Sequence, residues 1–438
     1  MTTSTHFPAD FTWAVATSAF QIEGAASADG KGPSIWDTFC AIPGTITDGS
    51  DGTVACDHYH RYREDVALIA SLGVDAYRFS MAWSRVQPDG KGAWNEAGFA
   101  FYDRLLAELE TYGIKAYLTL YHWDLPQGLQ DDGGWLNRDT AYRFADYARE
   151  VARRFGNRLA TIATHNEPWC TANLGYGNGQ FAPGVADAKQ AVQVSHHLLL
   201  SHGLAMTAMR EVGSAAQLGI VLNQWTADPA TDSAADRAKA DFEYARSVQW
   251  FMDPIFKGHY PELALRVHGE NAPQVQDGDF AIICQPIDFL GCNYYFRSWC
   301  SAAVPPVPPP NALGVTDMGW EIYPQGLTEL LLKLHAEYDL PPVYITENGM
   351  ANADTLTDGR VADAARIAYV ESHLAALKAA MDAGVDVRGY FLWSLLDNFE
   401  WNSGYAKRFG IVHVDYATQQ RTLKESALWY RDFIGAQR

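Results

Sequence analysis

"YITENGM", residues 344–350, begins as a buried strand at Tyr344 and Ile345 and ends in Thr346, Glu347, Asn348 and Gly349. A carboxylate where an apolar strand stops is costly unless it is paired or used. Other β-rich runs end in the same manner, which makes this stretch decisive for the fold. They are "FTWAVATS" (11–18), "VDAYRFSMAW" (74–83), "KAYLTLYHW" (115–123), "TIATHNEP" (161–168), "GIVLNQW" (219–225), "DFLGCNYYF" (288–296) and "VRGYFLWSL" (387–395), with "VYITENG" (343–349) before the last. Helical stretches lie between them, such as "FYDRLLAELETYG" (101–113) and "DTAYRFADYAREVARRFG" (139–156). The second carries Tyr142, Ala145, Ala148 and Ala152 at helical spacing.

Eight strands alternating with helices predict a parallel sheet. Eight is the count of a closed (β/α)8 TIM barrel; a doubly wound open sheet is the alternative. Length alone suggests about two or three domains, but one such barrel can exceed roughly 400 residues with insertions. The expectation is a single catalytic domain over 1–438 with extended active-site loops. In a barrel the strand C-termini build the site. Here those ends deliver Arg78, His122 with Trp123 and Asp124, Asn166 with Glu167, Asn223, Asn293 with Tyr295, and Glu347. "VPPVPPPNALG" (304–314) fits neither a helix nor a central strand. It is expected in a loop on the active-site side. The polar, Ala-rich "TADPATDSAADRAKADFEY" (226–244) reads as a loop leading into a helix.

The chain has 438 residues, 48% of them hydrophobic, and a formal net charge of -19. No Lys/Arg run stands out, which argues against a nucleic-acid or anionic-membrane partner. No run of 18 or more apolar residues exists, so no membrane span is expected. "MTTSTHFPADF" lacks the pattern of a secretory signal. Cys40, Cys56, Cys170, Cys284, Cys292 and Cys300 are scattered without a CxxC pair, which reads as reduced thiols in a cytoplasmic protein. The 14 Trp exceed what a core alone suggests; beside polar residues, they offer flat platforms for sugar rings.

Glu167 and Glu347 both follow a β-run, and two carboxylates at barrel strand ends can face each other across a pocket. Such a pair suits glycosidic cleavage, one group donating a proton while the other attacks or activates water. For either Glu alone the competing reading is a partner in a buried ion pair, and the presence of the pair weakens it. No GxGxxG follows the first strand and no Walker-type loop appears, so no nucleotide cofactor is expected. His58, His60, His196, His197 and His202 lack the spacing of a metal site, and no metal is expected.

The chain resembles the β-glucosidases of glycoside hydrolase family 1. The resemblance is carried by "FTWAVATSAFQIEGA" (11–25), "SIWDTF" (34–39), "YRFSMAWSRVQPDG" (77–90), "LYHWDLPQ" (120–127), "NEPWC" (166–170), "GYGNGQFAPG" (175–184), "NYY" (293–295), "GWEIYPQGL" (319–327), "ITENG" (345–349) and "FLWSLLDNFEWNSGYAKRFGIVHVD" (391–415). It implies a retaining β-glycosidase acting on terminal β-D-glucosyl residues, with Glu167 as acid/base and Glu347 as nucleophile. Arg78 and Tyr295 match the nucleophile's partners. The resemblance assigns sugar binding to Gln21, His122, Asn166, Asn293, Glu400 and Trp401, over Trp393 as floor. On the leaving-group side it points to Trp169, Asn223 and Trp320. β-Glucosides or cello-oligosaccharides are the implied substrates, with room for β-galactosidase and β-fucosidase activity.

His165 stands where the family usually has an apolar residue. It is expected to be a core His facing away from the pocket; the alternative is that it tunes polarity around Glu167. Two other functions were open. A 6-phosphoglycosidase would replace the Glu400–Trp401 pair, and a carboxylate there would repel phosphate. A sugar-binding relative without catalysis would lack one of the two Glu residues, and both are present.

Overall fold

A computed structural model describes residues 6–438. Its strands are β1 (Thr12–Ala16), β2 (Ala76–Ser80), β3 (Lys115–Tyr121), β4 (Thr161–Asn166), β5 (Gln217–Asn223), β6 (Ala227–Pro229), β7 (Phe289–Asn293), β8 (Ser298–Cys300), β9 (Val343–Asn348), β10 (Val387–Trp393), β11 (Val412–Asp415) and β12 (Gln420–Leu423). Eight of them close a barrel in the order β1-β10-β9-β7-β5-β4-β3-β2. Every pair in that ring is parallel. The closed ring is the expected TIM barrel and excludes the open sheet. Its strands are buried along nearly their whole length, as parallel strands covered by helices must be.

The barrel interior is packed. Tyr117 meets Tyr344 at 5.7 Å and Phe391 at 4.9 Å between ring centres. Ala14, Ala76 and Ala163 belong to the same buried cluster and leave room for those rings. The pocket above therefore has a solid floor.

The outer helix Asp139–Phe155 shows how the sequence chose its inner face. Phe144, Ala148 and Val151 are buried, whereas Tyr142 is 45% exposed. At 100° per residue Tyr142 lies almost opposite the centre of the apolar arc. The expected stripe through Tyr142 is thus corrected; Phe144, Tyr147 and Val151 take the inside.

Both small sheets lie outside the ring. β11 and β12 form an antiparallel ribbon, and β6 pairs with β8. The segment expected as a loop leading into a helix does lead into the helix Ala234–Tyr244, and its loop part holds the short strand β6. Residues 304–314 form neither strand nor helix. Asn311 within them donates its backbone N–H to Glu321 Oε1 at 3.1 Å.

Candidate active site

Two bulges prepare the site. Between Ala163 and Asn166 the register of β4 against β5 slips, and β9 slips around Thr346 and Glu347 against both neighbours. An inserted residue breaks the strict alternation of a strand and re-aims the next side chain. Asn166, Glu167 and Glu347 are brought together in this way at the C-terminal ends of β4 and β9. Glu167 also has a left-handed backbone, with φ 48. That conformation costs a non-glycine residue about 1 kcal/mol. Its N–H is held by Val221 O at 2.9 Å, which fixes the turn.

A cavity of about 430 Å³ opens at this face. Glu167, Glu347 and Glu400 line it, together with His122, Asn293 and Tyr295. Trp169, Asn223, Trp320, Trp393 and Trp401 line it too. Arg78, Gln21 and Asn166 stand buried behind the wall.

Hydrogen bonds distinguish the two paired carboxyls. Arg78 Nη1 donates to Glu347 Oε1 at 2.6 Å, and Tyr295 Oη donates to Oε2 at 2.7 Å. Arg78 Nη2 donates to Asn166 Oδ1 at 2.6 Å. Among the described residues Glu167 has no cation on it; it accepts from Asn293 Nδ2 at 2.6 Å and from the Cys170 thiol at 3.1 Å. Burial, and next the charge of Glu347, push Glu167 up to about 8. The same causes in the same order, joined by Glu167, push Glu400 up to about 8. From sequence the neighbouring charge is the visible cause of such a shift; in the fold, desolvation is the larger one.

One wall of the cavity is aromatic. His122 stacks between Trp393 and Trp401, each 5.9 Å away with planes 15° apart. His122 Nε2 lies 3.1 Å from Asn166 Nδ2 and so accepts from it. Burial, then the charge of Arg78, hold the His122 ring well below its ordinary range, so it is neutral. Gln21 Nε2 donates to Asn398 Oδ1 and Phe399 O, both at 2.9 Å, and more weakly to Glu400 Oε2 at 3.4 Å. Gln21 thereby braces the loop that presents Glu400 and Trp401. On the outer side Trp169 meets Trp225 edge-on at 5.2 Å, and Trp320 meets Tyr295 at 5.4 Å.

His165 is a core residue. It is fully buried, stacks on Phe144 at 4.6 Å and meets Ser201 Oγ at 2.7 Å through Nε2. The other histidines weighed for metal have protein partners. His58 pairs with Asp65 at 2.8 Å, His196 bridges Tyr260 and Asp279, and His202 meets Thr164 at 2.8 Å.

Sequence reading places Trp123 at a strand end and Cys170 in a motif but assigns neither a role. Cys170 follows Glu167 by three residues at a helical start, a spacing that was legible in "NEPWC". Trp123 donates its indole N–H to Asn166 O at 2.8 Å and packs on Trp401 at 4.6 Å. Phe296, Met318 and Phe409 also line the cavity, and nothing local marks them.

Comparison with known proteins gives the same picture. Beta-glucosidase A of Acetivibrio thermocellus is 44% identical over 98% of this chain and 98% of its own. The bifunctional beta-D-glucosidase/beta-D-fucosidase of Bifidobacterium breve is 43% identical, again over 98% of each. The crystal structure of the AHE enzyme from Alicyclobacillus herbarius superposes with a TM-score of 0.95 at 49% identity, covering 99% of both chains. The family model for glycosyl hydrolase family 1 matches residues 3–438. With barrel, pocket and both carboxyls in the same continuous match, the chain belongs to glycosyl hydrolase family 1.

Proposed function

We propose that this chain is a retaining β-glucosidase whose single catalytic domain spans 1–438. One observation carries the reading: two carboxyls share a pocket in opposite states of preparation. Glu347 is gripped by Arg78 and Tyr295, whereas Glu167 is desolvated and raised. In the first step a Glu347 oxygen bonds the anomeric carbon while Glu167 gives its proton to the departing oxygen. The negative charge on Glu347 is consumed in the ester. Glu167, now ionised and free of that repulsion, takes a proton from water, which attacks the anomeric carbon and releases the sugar with its configuration retained.

His122, Asn293, Glu400 and Trp401 receive the sugar over Trp393, with Asn166 and Gln21 directly behind them. Trp169, Asn223 and Trp320 receive the leaving group. β-Glucosides, cello-oligosaccharides among them, are the proposed substrates. The fucosidase named in the Bifidobacterium relative supports testing β-fucosides beside them. Among the described residues no helix is long and apolar enough to cross a membrane. The scattered cysteines support a cytoplasmic setting.

The test is a 2-deoxy-2-fluoro glucoside, which should trap an ester on Glu347, read by peptide mapping. Glu167→Ala should slow release of the sugar most, spare the first step for good leaving groups, and recover turnover with azide. The acid form of Glu167 is lost as pH rises through about 8, so kcat/KM falls on that side. A label elsewhere, or equal loss for all leaving groups, overturns the assignment.

A further inference from the structure

A run of hydrogen bonds with fixed direction leads from Arg78 to Glu167. A guanidinium only donates. The Asn166 atom 2.6 Å from Arg78 Nη2 is therefore the amide oxygen, Oδ1. Asn293 approaches that same oxygen at 3.1 Å, so it presents its NH2. The opposite end of the Asn293 amide accepts from the Thr346 hydroxyl at 2.6 Å, which fits that orientation. The second N–H of Asn293 reaches Glu167 Oε1 at 2.6 Å. Oε1 is thus an acceptor in either state of Glu167, and a proton carried by Glu167 belongs on Oε2. Facing Oε2 at 3.1 Å is the Cys170 sulfur, on the cavity wall. Asn223 Nδ2 stands 3.7 Å from that sulfur.

We propose that Cys170 is a positioning residue for the acid/base: its sulfur accepts from the Oε2 hydroxyl when Glu167 is protonated, and its S–H donates to Oε2 when Glu167 is ionised. The thiol is one of the few small groups that can do both. Its proton never leaves sulfur, since burial and then Glu167 hold the Cys170 thiol well above its ordinary range. The proposal rests on the reading of Glu167 as acid/base. Around Glu167 stand Glu347 from β9, Arg78 from β2, Cys292 from β7, and Tyr295 and Glu400 on their loops. These groups are unchanged in a Cys170 variant, so a difference among such variants reports the sulfur.

Cys170→Val removes both bonds, and the bond to the ionised carboxylate is the stronger loss. The alkaline limb of kcat/KM should then move to higher pH. Cys170→Ser puts a better donor on the carboxylate and should move it lower, each by about half a pH unit. A structural role alone would lower kcat/KM at every pH and leave the limb in place. Limbs that coincide with the wild type, or shift in the same direction, overturn the proposal. A readout on the unmodified enzyme guards against poor folding of the variants: the infrared S–H stretch should move to lower frequency as pH crosses the limb. An unchanged band also overturns it. Glu167→Gln separates this idea from its foundation. If that variant keeps the alkaline limb, the acid/base assignment falls. If it loses the limb while both Cys170 variants match the wild type, only the role of Cys170 falls.

Discussion

His165 precedes Asn166 in sequence, yet the two side chains serve different compartments. The slip between Ala163 and Asn166 places His165 in the outer core against Phe144, and Asn166 behind the pocket. Burial, then the neighbouring His202, hold the His165 ring well below its ordinary range, so it is neutral when folded. An unfolded His gains its proton below about 6.5. The folded chain cannot match that uptake, so this residue makes stability fall as pH drops below that value. His165→Phe should narrow the difference in Tm between pH 7 and pH 5 and leave kcat/KM within about two-fold. An altered alkaline limb in that variant would show that His165 does reach Glu167. At this scale the motif-borne residues were legible in sequence: Glu167, Glu347, Arg78 and Tyr295 do meet in the fold. Cys170 was quoted inside a motif but given no role, because its three-residue spacing from Glu167 does not by itself say that the sulfur turns to the carboxyl.

The elements were legible where their period is long. Seven of the eight ring strands lie within the stretches read from sequence, because continuous apolar runs bounded by helices leave little choice. β5 begins two residues before its stretch, at Gln217. β6 and β8 have three residues each and show no period, so neither could be read. The bulges also escaped, since a slip of one residue leaves composition unchanged. Where β9 meets β10 the fit is closest at Gly349. A Cβ there would lie 1.8 Å from the carbonyl oxygen of Trp393. Gly349→Ala must therefore part the ends of the two strands that carry Glu347 and Trp393. The expected result is a loss of about 100-fold in kcat/KM, as displacements near 1 Å produce, together with a lower Tm. A variant with unchanged kinetics would mean that the strand ends yield without moving Glu347.

At the scale of the whole molecule, a buried ion network ties the loops of the site to the C-terminal part of the chain. Lys424 Nζ lies 2.5 Å from Asp354 Oδ2 and 2.7 Å from Asp397 Oδ1. Arg366 joins Asp354 at 2.6 Å and also bonds Asp363, while Arg408 joins Asp397 at 2.6 Å. Asp354 follows β9 and Asp397 follows β10, so the loops behind Glu347 and before Glu400 share one cation. Lys424→Met leaves two buried carboxylates short of a partner and should cost about 3–5 kcal/mol. Chemical denaturation measures it, and a loss below about 1 kcal/mol would mean that Arg366 and Arg408 suffice. Sequence could not pair these residues, because ionic partners far apart along the chain leave no pattern. The same remoteness governs how the enzyme comes into being. β1 is seated against β10, and Gln21 against Asn398 and Phe399. During synthesis the first strand must wait, one edge unpaired, until the eighth emerges, and an open edge invites wrong pairing. Hydrolytic competence therefore arrives late and all at once: a ribosome most of the way through the message carries both glutamates and no glucosidase.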